Sequence, residues 1–570
     1  MFNAASQLLT RPVPATTQIL GRDEWILRGA MIVIVAALAI AILLPLYFFL
    51  VKSLQNSSRE FIGLANYVRY FSSEGLVRSI GNSLFAAGLS TVISVTLAFV
   101  YAYGLTHSCL PGKIFFRVIA FFPMFAPSLL PAISFVYFFG TQGVIKNVLM
   151  GHEIYGPIGI VMGLVFYTFP HAFIIILIAL SLADARLYES SISLRAGKFK
   201  TFTNVTLPGV KYGLISAAFV SFSLAITDFG VPKVIGGKFT MLATDIYSNV
   251  VGMQDMEMAA VVGMVLLIPA TIAFVCDRII QGKQMAILST RAVPYSPKPS
   301  WGFDLTMFGI CSLIAFLILS VLVMAAYASL VKFWPYNLSL TFAKYDFAAT
   351  TDRGWGAYHV SLLMSGYAAA FGTMLIFCGA YLVEKLREFP LGRSAIHFLA
   401  MMPMAVPGMV LGLAYIFFFN HPKNPLGFLY GTLAILVIVT ITHFYTVGHL
   451  TMVTALKQID NEFESVSASL KVPIYKTVWR VTVPVCVPAI LNVMVYLFIN
   501  SMTTVSALVF LYFPNTMTAS ILMLFQDDNG NLGSALALGM MIFLTSLGVR
   551  FLYWLLTRGI SRRTQAWRPQ

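Results

Sequence analysis

Charged residues are scarce in this chain. Only 10% of its 570 residues are Asp, Glu, Lys or Arg, whereas 58% are hydrophobic. A soluble protein of this length needs far more charge to cover its surface. Apolar runs of about 18 or more residues recur along the sequence, and such a run spans a bilayer as a helix. The composition therefore predicts an all-α integral membrane protein.

Paired cysteines and metal-ligand patterns are also missing. The five cysteines are Cys109, Cys276, Cys311, Cys378 and Cys486, and no two of them form a CxxC pair. No histidine pair has metal-ligand spacing with supporting carboxylates, so we expect neither disulfides nor a metal site. The first apolar run, about 30–50, is too long for a signal-peptide core and lacks a small-residue cleavage site behind it. We expect no cleavable signal.

Acidic residues are outnumbered by basic ones, 22 to 37. Nucleic-acid binding could explain such an excess, but in a membrane protein Lys and Arg accumulate in cytoplasmic loops. Here the basic residues cluster in alternate loops. The charge pattern predicts cytoplasmic N- and C-termini and no nucleic-acid partner.

Twelve apolar spans are predicted, and they divide into two halves of six. The spans are roughly 29–51, 80–105, 117–140, 157–182, 212–231, 257–280, 305–331, 361–384, 395–419, 429–452, 488–512 and 534–557. The predicted organisation is a cytoplasmic segment 1–28, a first half 29–280, a polar cytoplasmic linker 281–302, a second half 303–557 and a basic cytoplasmic tail 558–570. Both halves run in the same direction, as in a parallel duplication with a pathway between the repeats.

One polar stretch occurs twice. Residues 194–208, "LRAGKFKTFTNVTLP", and residues 470–484, "LKVPIYKTVWRVTVP", match in register at an offset of 276. They lie in the loops between the fourth and fifth spans of their halves, which we call the first loop (183–211) and the second loop (453–487). Apolar residues three apart predict a short helix with one apolar stripe after a turn, and a proline that ends the element. Such a stripe must be buried on the bundle, on membrane lipid or on a partner. Two symmetric copies favour a dimeric cytoplasmic partner.

The first loop resembles the coupling loop of binding-protein-dependent ABC importer permeases. In "YESSISLRAGKFKTFTNVTLP" the family's Glu and Leu-Pro are matched at Glu189 and Pro208, but Ser190 and Ser191 replace two alanines and Arg195 replaces a glycine. In the second loop Glu464 is one residue out of register and Lys471 replaces the glycine, so Gly197 and Pro473 could supply the two turns instead. The ATPase-docking residues that the resemblance implies are Glu189, Leu194, Arg195, Gly197, Phe199, Phe202, Pro208, Glu464, Leu470, Lys471, Pro473, Tyr475, Val478 and Pro484.

This resemblance implies the type I importer permease fold, in the bacterial inner membrane. It also implies two partners, a homodimeric cytoplasmic ATPase and a periplasmic solute-binding protein. The chain has no Walker A motif, since "GGKF" (236–239) lacks both the spacing and the Ser/Thr. We therefore expect no enzyme activity and no bound cofactor in this chain, with ATP and Mg²⁺ held by the partner.

Three stretches bear on the solute. Residues 226–247, 468–491 and 500–512 resemble permeases assigned to 2-aminoethylphosphonate, although ferric-iron permeases share the "DFG" and "GG" of the first stretch. The resemblance places 2-aminoethylphosphonate first, ferric iron second and another small polar solute third. An ion-coupled secondary carrier is a rival from another class. It is disfavoured because the loop 104–117 has no acid and such carriers lack paired loops.

A candidate pathway follows from the repeat. Asp228 lies near the outer end of the fifth span, where an acid is costly unless it meets water or a partner. An offset of 276 leads to Thr504, with the polar neighbours Asn500, Ser501 and Thr503. These residues could line the pathway from both halves. Alternatively, Asp228 caps a helix or pairs with Lys233.

Proline pairs and a glycine pair are candidate gates. Pro123 and Pro127 recur as Pro403 and Pro407, at an offset of 280 and near the start of the third span of each half. Prolines four apart bend or break a helix, either as a packing kink or as a moving element. Gly236 and Gly237 follow Asp228 in a stretch that is either an outer gate or a simple turn.

Overall fold

The fold is almost entirely helical. The computed structural model describes residues 22–287, 293, 295–350, 354–385, 389–460, 462–470 and 472–564. Within these residues ten helices are long and apolar enough to cross a membrane, or up to twelve spans if each of two bent pairs counts as one. The all-α membrane fold is therefore confirmed.

The first half contains thirteen α-helices among the described residues. They are α1 (Arg22–Leu38), α2 (Leu44–Ser53), α3 (Ala65–Phe71), α4 (Glu74–His107), α5 (Lys113–Phe121), α6 (Leu129–Phe139), α7 (Pro157–Ser181), α8 (Ala185–Ser193), α9 (Lys198–Thr201), α10 (Leu207–Thr227), α11 (Gly230–Ile235), α12 (Leu242–Tyr247) and α13 (Met256–Ile287). Single π-helical turns at Ala39–Leu43, Phe202–Thr206 and Ser248–Gly252 and 3₁₀ turns at Phe122–Phe125 and Lys146–Leu149 join or extend them.

The second half repeats this order. Its described helices are α14 (Trp301–Leu330), α15 (Phe347–Thr350), α16 (Gly356–Lys385), α17 (Pro390–Met401), α18 (Gly408–Phe419), α19 (Leu433–Lys457), α20 (Glu462–Ser469), α21 (Ile474–Thr477), α22 (Val483–Thr503), α23 (Ala519–Asp528) and α24 (Leu532–Thr564). A π turn lies at Val478–Thr482, and 3₁₀ turns lie at Ala343–Tyr345, Met402–Ala405, Gly427–Leu429 and Pro514–Thr516. The pairs α7/α19 and α10/α22 are each offset by 276, so the sequence repeat is also a structural repeat.

The third predicted span of each half is not a straight helix. Lys113–Phe125 and Leu129–Phe139 meet at 102°, and Pro390–Ala405 and Gly408–Phe419 meet at 114°. Two prolines four residues apart cause each break, because a proline cannot donate the backbone hydrogen bond that would continue the helix. Each proline pair therefore breaks its span into two separate helices.

A small β-hairpin is the one sheet that the described residues form. Strand β1 (Val331–Phe333) pairs antiparallel with β2 (Asn337–Leu340), with Val331 opposite Leu340. It follows α14 in a loop predicted to lie outside the membrane. The apolar run of α14 continues into "VKF", so no boundary between helix and strand is visible in the residues there.

The first helical segment of each half packs against the other half. The α1–α2 segment packs on the second half, where the Tyr415 hydroxyl donates to the Ala41 carbonyl (2.9 Å) and the Phe49 ring stacks on Phe417. In return α14 packs on the first half, where the Asp304 carboxylate accepts the Cys109 amide (2.8 Å). The halves therefore share one apolar core instead of folding as separate units.

Small residues bring the core helices together. A side chain at Gly372 of α16 would collide with Leu497 of α22, at 2.7 Å from an added Cβ, and one at Gly213 of α10 would meet Ala179 of α7. Such close approach gains van der Waals contact, which drives helix association in lipid, where hydrophobic burial between helices contributes little.

The predicted domain boundaries remain predictions. Helix α13 runs to Ile287 and α14 begins at Trp301, so the predicted linker 281–302 includes the end of one helix and the start of the next. Residues 1–21 and 565–570, in the predicted terminal segments, lie outside the described part of the chain.

Candidate functional site: two loops, two bends and an outer contact

The first loop folds as a helix, a left-handed turn and a second helix. Asp184 caps α8 by accepting the Arg186 amide (3.1 Å), and α8 ends when the Arg195 backbone turns left-handed, at φ 54°. The predicted turn residue, Gly197, has an ordinary φ of −66° and instead precedes α9. Arg195 therefore makes the turn itself. It does so at the position where the family pattern has glycine, which adopts this conformation without strain.

Hydroxyl pairs tie the two helices of each loop together. The Ser191 hydroxyl bonds the Thr201 hydroxyl at 2.7 Å, and the Ser467 hydroxyl bonds the Thr477 hydroxyl. These pairs are related by the same offset of 276. The replacement of alanine by Ser191 was visible in the sequence, but its bond to Thr201 was not predicted from it. A serine in place of alanine thus fixes the angle of the loop.

Exposed apolar side chains cover the outer face of both loops. Leu194 and Phe199 are 82% and 78% exposed, and Leu470 and Tyr475 are 70% and 60% exposed. Side chains this apolar and this exposed mark a surface for a partner. Glu189 is exposed on the same loop.

Two members of the predicted stripe face inward instead. Phe202 packs against Phe99 and Tyr103 of α4, at ring-centre distances of 6.0 and 5.7 Å, and Val478 packs against the buried core. The π turns that begin at these two residues change the helical twist and rotate them away from the face that Phe199 and Tyr475 occupy. Both residues therefore help to anchor the loops to the bundle, and because both are only half-buried, their contact with a partner stays a prediction.

The expectation that Pro208 and Pro484 end these elements is wrong. The helix runs without a break from Lys198 to Thr227, and from Ile474 to Thr503 in the other half. Each proline is near the start of the spanning helix, directly after a π turn. The wide turn changes the hydrogen-bond pattern at the site where proline lacks a donor, so the helix continues.

The second loop carries an open groove. It has a volume of about 820 Å³ and is lined by Asp460, Phe463, Val466, Leu470 and Pro473 among others. In the first loop the corresponding region is contacted by the linker between the halves: the Ala185 amide donates to the Val293 carbonyl (2.9 Å) and Tyr295 packs on Tyr188. Lys471 and the Glu464 side chain lie outside the described residues, so their predicted roles stay predictions.

The two bends meet the segments that follow α10 and α22. A side chain at Gly230 would collide with the Ser128 hydroxyl, and a side chain at Gly408 would collide with the Ser506 hydroxyl. The repeat offsets relate Ser128 to Gly408 and Gly230 to Ser506. In the first half the serine lies at the bend and the glycine follows α10. In the second half the glycine lies at the bend and the serine follows α22. Pro123 and Pro403 are buried within these bends.

The predicted pathway residues bond mainly to their own chain segments. The Asp228 carboxylate accepts the Val231 amide at 2.9 Å, so Asp228 caps α11. Thr504 holds the matching position at the end of α22 and accepts the Ser520 hydroxyl on its carbonyl (2.8 Å). Ser501 and Thr503 donate to α22 carbonyls, and the Asn500 amide donates to the Tyr496 carbonyl. A direct role in solute contact stays a prediction for all five.

Among the described residues, an ion pair joins the halves near the ends that are predicted to face outward. Lys233 does not pair with Asp228; its ammonium lies 2.9 Å from the Asp528 carboxylate of the other half. It also lies 4.9 Å from the centre of the Tyr247 ring, which stacks on Phe510 of the other half. Sequence reasoning missed Asp528 as a partner, because the repeat gives neither residue a charged counterpart. We call this group the outer contact.

The glycine pair ends the helix that carries Lys233. Gly236 closes α11 by donating to the Pro232 carbonyl (2.8 Å), and Gly237 takes the left-handed φ of 54° that glycine favours. Among the described residues no three His, Cys, Asp or Glu side chains gather as a metal site would require.

The chain matches one family of sequences in both halves. The family is described as the binding-protein-dependent transport system inner membrane component, and it matches residues 94–284 and 375–562, together more than half of the chain. Each matched stretch includes one of the two loops and the helices on either side of it.

Two relatives match along most of the chain. The ferric transport system permease protein FbpB of Actinobacillus pleuropneumoniae is 26% identical over 551 residues, covering 94% of this chain and 79% of that protein. The Fe(3+)-transport system permease protein FbpB 2 of Haemophilus influenzae is 23% identical over 497 residues, covering 85% of this chain and 91% of that protein. Among solved structures, a bacterial ABC transporter involved in alginate import is 19% identical, with a TM-score of 0.39 over 47% of this chain and 97% of that chain. This last likeness is too low to support an inference.

Proposed function

Because the chain belongs to the family of binding-protein-dependent transport system inner membrane components, it is the multi-pass permease subunit of an ABC importer, and we propose that its solute is ferric iron. This choice reverses the order that the sequence resemblance favoured, which placed 2-aminoethylphosphonate first.

The observation that carries the proposal is the extent of the similarity to ferric transport permeases. Both long relatives are named for ferric iron, and both are matched along most of this chain and of their own length. The stretches that resemble 2-aminoethylphosphonate permeases are short by comparison, and one of them is shared with iron permeases. A similarity that spans both halves weighs more than local stretches.

The two loops are the proposed docking sites for a cytoplasmic ATPase dimer. Leu194 and Phe199 in one loop, and Leu470 and Tyr475 in the other, present exposed apolar side chains in related positions. A homodimeric partner offers two equivalent grooves and so fits two related loops. The partner would hold ATP and Mg²⁺, and this chain would carry the resulting motion into the bundle.

Alternating access follows from the outer contact and the bends. The Lys233–Asp528 pair holds the halves together at their outer ends, in an arrangement that suits an inward-facing state. Docking of a solute-loaded periplasmic binding protein, together with ATP-driven closure at the loops, would separate this contact and open the outer side. The halves would then move as bodies around a central site.

A second candidate solute is 2-aminoethylphosphonate. The observation that favours it is Arg550, an exposed guanidinium on the spanning helix α24 that donates to Asn492 of α22 at 3.4 Å. A guanidinium and an amide together suit phosphonate oxygens.

Solute uptake tests the proposal. A strain that lacks this gene but retains the neighbouring ATPase and binding-protein genes is complemented with the chain. Radiolabelled ferric iron and 2-aminoethylphosphonate are then offered separately. We expect loss and rescue of ferric-iron uptake alone. Rescue of 2-aminoethylphosphonate uptake alone would replace the solute but keep the permease role.

A further inference from the structure

The linker between the halves packs against the first loop. Its Val293 carbonyl accepts the amide of Ala185, the first residue of α8, at 2.9 Å. Two residues further on, the centre of the Tyr295 ring lies 4.4 Å from the centre of the buried Tyr188 ring of α8. The linker therefore holds the start of α8 by a backbone hydrogen bond and a ring contact.

Tyr295 also stacks on the end of α4. The centre of its ring lies 5.0 Å from that of the His107 ring, and the His107 Nε2 atom lies 3.0 Å from the Tyr188 hydroxyl. Tyr188 in turn donates to the hydroxyl of Thr206, in the π turn that leads into α10, at 3.1 Å. One ring of the linker thus contacts both α8 and α4, and the tyrosine that it packs on is bonded to the start of α10.

The stack continues along α4 to α14. The Tyr103 ring lies nearly parallel to the His107 ring, with centres 4.5 Å apart, and meets the Phe303 ring of α14 edge-on at 6.1 Å. Asp304, the next residue of α14, accepts the Cys109 amide beyond the end of α4. Helix α14 also packs against α24 of the second half. A continuous series of contacts therefore leads from the first loop and the linker to a helix of the other half.

The second half has no ring at the matching positions. The offset of 276 leads from Tyr103, His107 and Tyr188 to Gly379, Val383 and Glu464. The second loop has the open groove instead. The two loops are therefore attached to the bundle in different ways, and the stacked rings are a feature of the first.

We propose that Tyr295 is a positioning residue for energy coupling: it holds the first loop to α4 and α14, so that displacement of this loop by the ATPase moves both halves. The inference rests on the proposed docking of the ATPase at the loops, and it holds for either candidate solute. Closely packed side chains suit this role because they are nearly incompressible and transmit a displacement. A linker that only connected the halves would need no ring at this position.

The variant Tyr295→Ala removes the ring, whereas Tyr295→Phe keeps it. Trp301→Ala is the matched control, because Trp301 is an aromatic residue six positions further along, at the start of α14, and is 84% exposed. Three quantities are measured for the whole importer: co-purification of the ATPase, ATP hydrolysis, and uptake of radiolabelled solute. The solute is ferric iron, or 2-aminoethylphosphonate if that is what the wild-type importer takes up.

We expect Tyr295→Ala to keep co-purification and ATP hydrolysis but to lower the uptake per ATP hydrolysed by about threefold or more, an effect in the range found for residues that carry coupling between sites. Tyr295→Phe should keep the wild-type ratio, because the ring contacts remain. Trp301→Ala should also keep it.

A wild-type ratio in Tyr295→Ala would overturn the inference and leave docking at the loops standing. Loss of co-purification together with uptake would also overturn it, because the ring would then serve docking or folding and not coupling. The same holds if Tyr295→Phe is as poor as Tyr295→Ala, since the ring would not be what matters. A wild-type chain that does not co-purify with the ATPase would instead overturn the proposed docking, and with it the premise.

Discussion

Single residues decide local geometry in the loops. Arg195 adopts a left-handed backbone conformation that costs a non-glycine residue roughly 1–2 kcal/mol. It nevertheless keeps the hydrogen bonds of a helix end, with its amide donating to the Ile192 carbonyl at 2.9 Å. The turn is therefore set by the contacts around it and not by the residue's own preference.

Arg195→Gly should stabilise the first loop by about 1 kcal/mol, because glycine adopts this conformation without the Cβ clash. The measurement is the rate at which a protease cuts the loop in the purified chain, which should fall. Arg186→Gly is the control, since it makes the same change at a right-handed helical position and should raise the rate. Equal rates in both variants would argue against strain at Arg195.

Asp527 gives the outer side a pH dependence. Burial, and then the negative charge of Asp528, raise the pKa of the Asp527 carboxyl to about 7, although Lys233 lowers it. A raised pKa means that the folded chain favours the protonated form. The stabilisation from this proton is fully present below the ordinary pKa of 3.8 and is lost as the pH rises through about 7.

We expect Asp527→Asn to remove this loss. The Tm of the purified wild-type chain should fall more between pH 5 and 8 than that of the variant, and above pH 7 the variant should be the more stable. Thermal unfolding across this pH range measures both. Parallel curves would show that Asp527 has an ordinary pKa.

The bends show how an element repeats while its residues differ. Both have two prolines four residues apart, and both pack a serine against a glycine at the end of the partner helix. The exchange of serine and glycine between the halves keeps the total volume at each bend. It also means that a serine placed at Gly230 or Gly408 alone would collide with the serine that it faces.

Gly408→Ser should therefore destabilise the chain by about 1–3 kcal/mol through overpacking against Ser506. Adding Ser506→Gly should restore most of the stability, because the pair then copies Ser128 and Gly230. The Tm of the purified single and double variants is the measurement, with Ser506→Gly alone as the control. A double variant no better than the single one would show that the two bends are not equivalent.

The outer faces of the two loops expose apolar side chains that we propose bind the ATPase partner. Glu189→Arg should uncouple ATP hydrolysis from uptake, because it reverses a charge on the exposed docking face without touching the Ser191–Thr201 bond. Glu153→Arg, on an exposed loop near the opposite end of α7, is the control. Uptake and ATPase co-purification would be measured for each, and full uptake by the Glu189 variant would count against docking at this face.

The whole molecule is held together in two ways. The exchange of α1–α2 and α14 between halves is apolar and extensive, whereas the outer contact has one ion pair with side chains that are 23% and 34% exposed. Partly exposed pairs contribute only about 0–1 kcal/mol. The crossing helices thus keep the halves associated, while the outer contact is weak enough to open in each cycle.

Lys233→Glu and Asp528→Lys should each raise basal ATP hydrolysis by the reconstituted importer a fewfold, because repulsion opens the outer side without solute. The double variant should return toward the wild-type rate, because the pair is re-formed with reversed sign. Asp255→Asn is the control, since Asp255 pairs with Arg69 within the first half. Unchanged hydrolysis in both single variants would remove the outer contact from the cycle.

Some features followed from the sequence alone. The scarcity of charge and the apolar runs determined a helical membrane protein, because only helices of that length satisfy the backbone in lipid. The offset of 276 determined the duplication, and the proline pairs determined where helices break. These are local or periodic properties, and each needs only its own stretch of chain.

Other features were decided only by the tertiary structure. Whether Lys233 meets Asp228 or Asp528, whether Phe202 faces a partner or α4, and which residue turns the first loop all depend on segments far apart in sequence. The same holds for the exchanged helices, since the sequences of α1 and α14 do not indicate which half each of them packs against. Contacts between distant segments are fixed by packing of the whole bundle, and a repeat read along the chain cannot supply them.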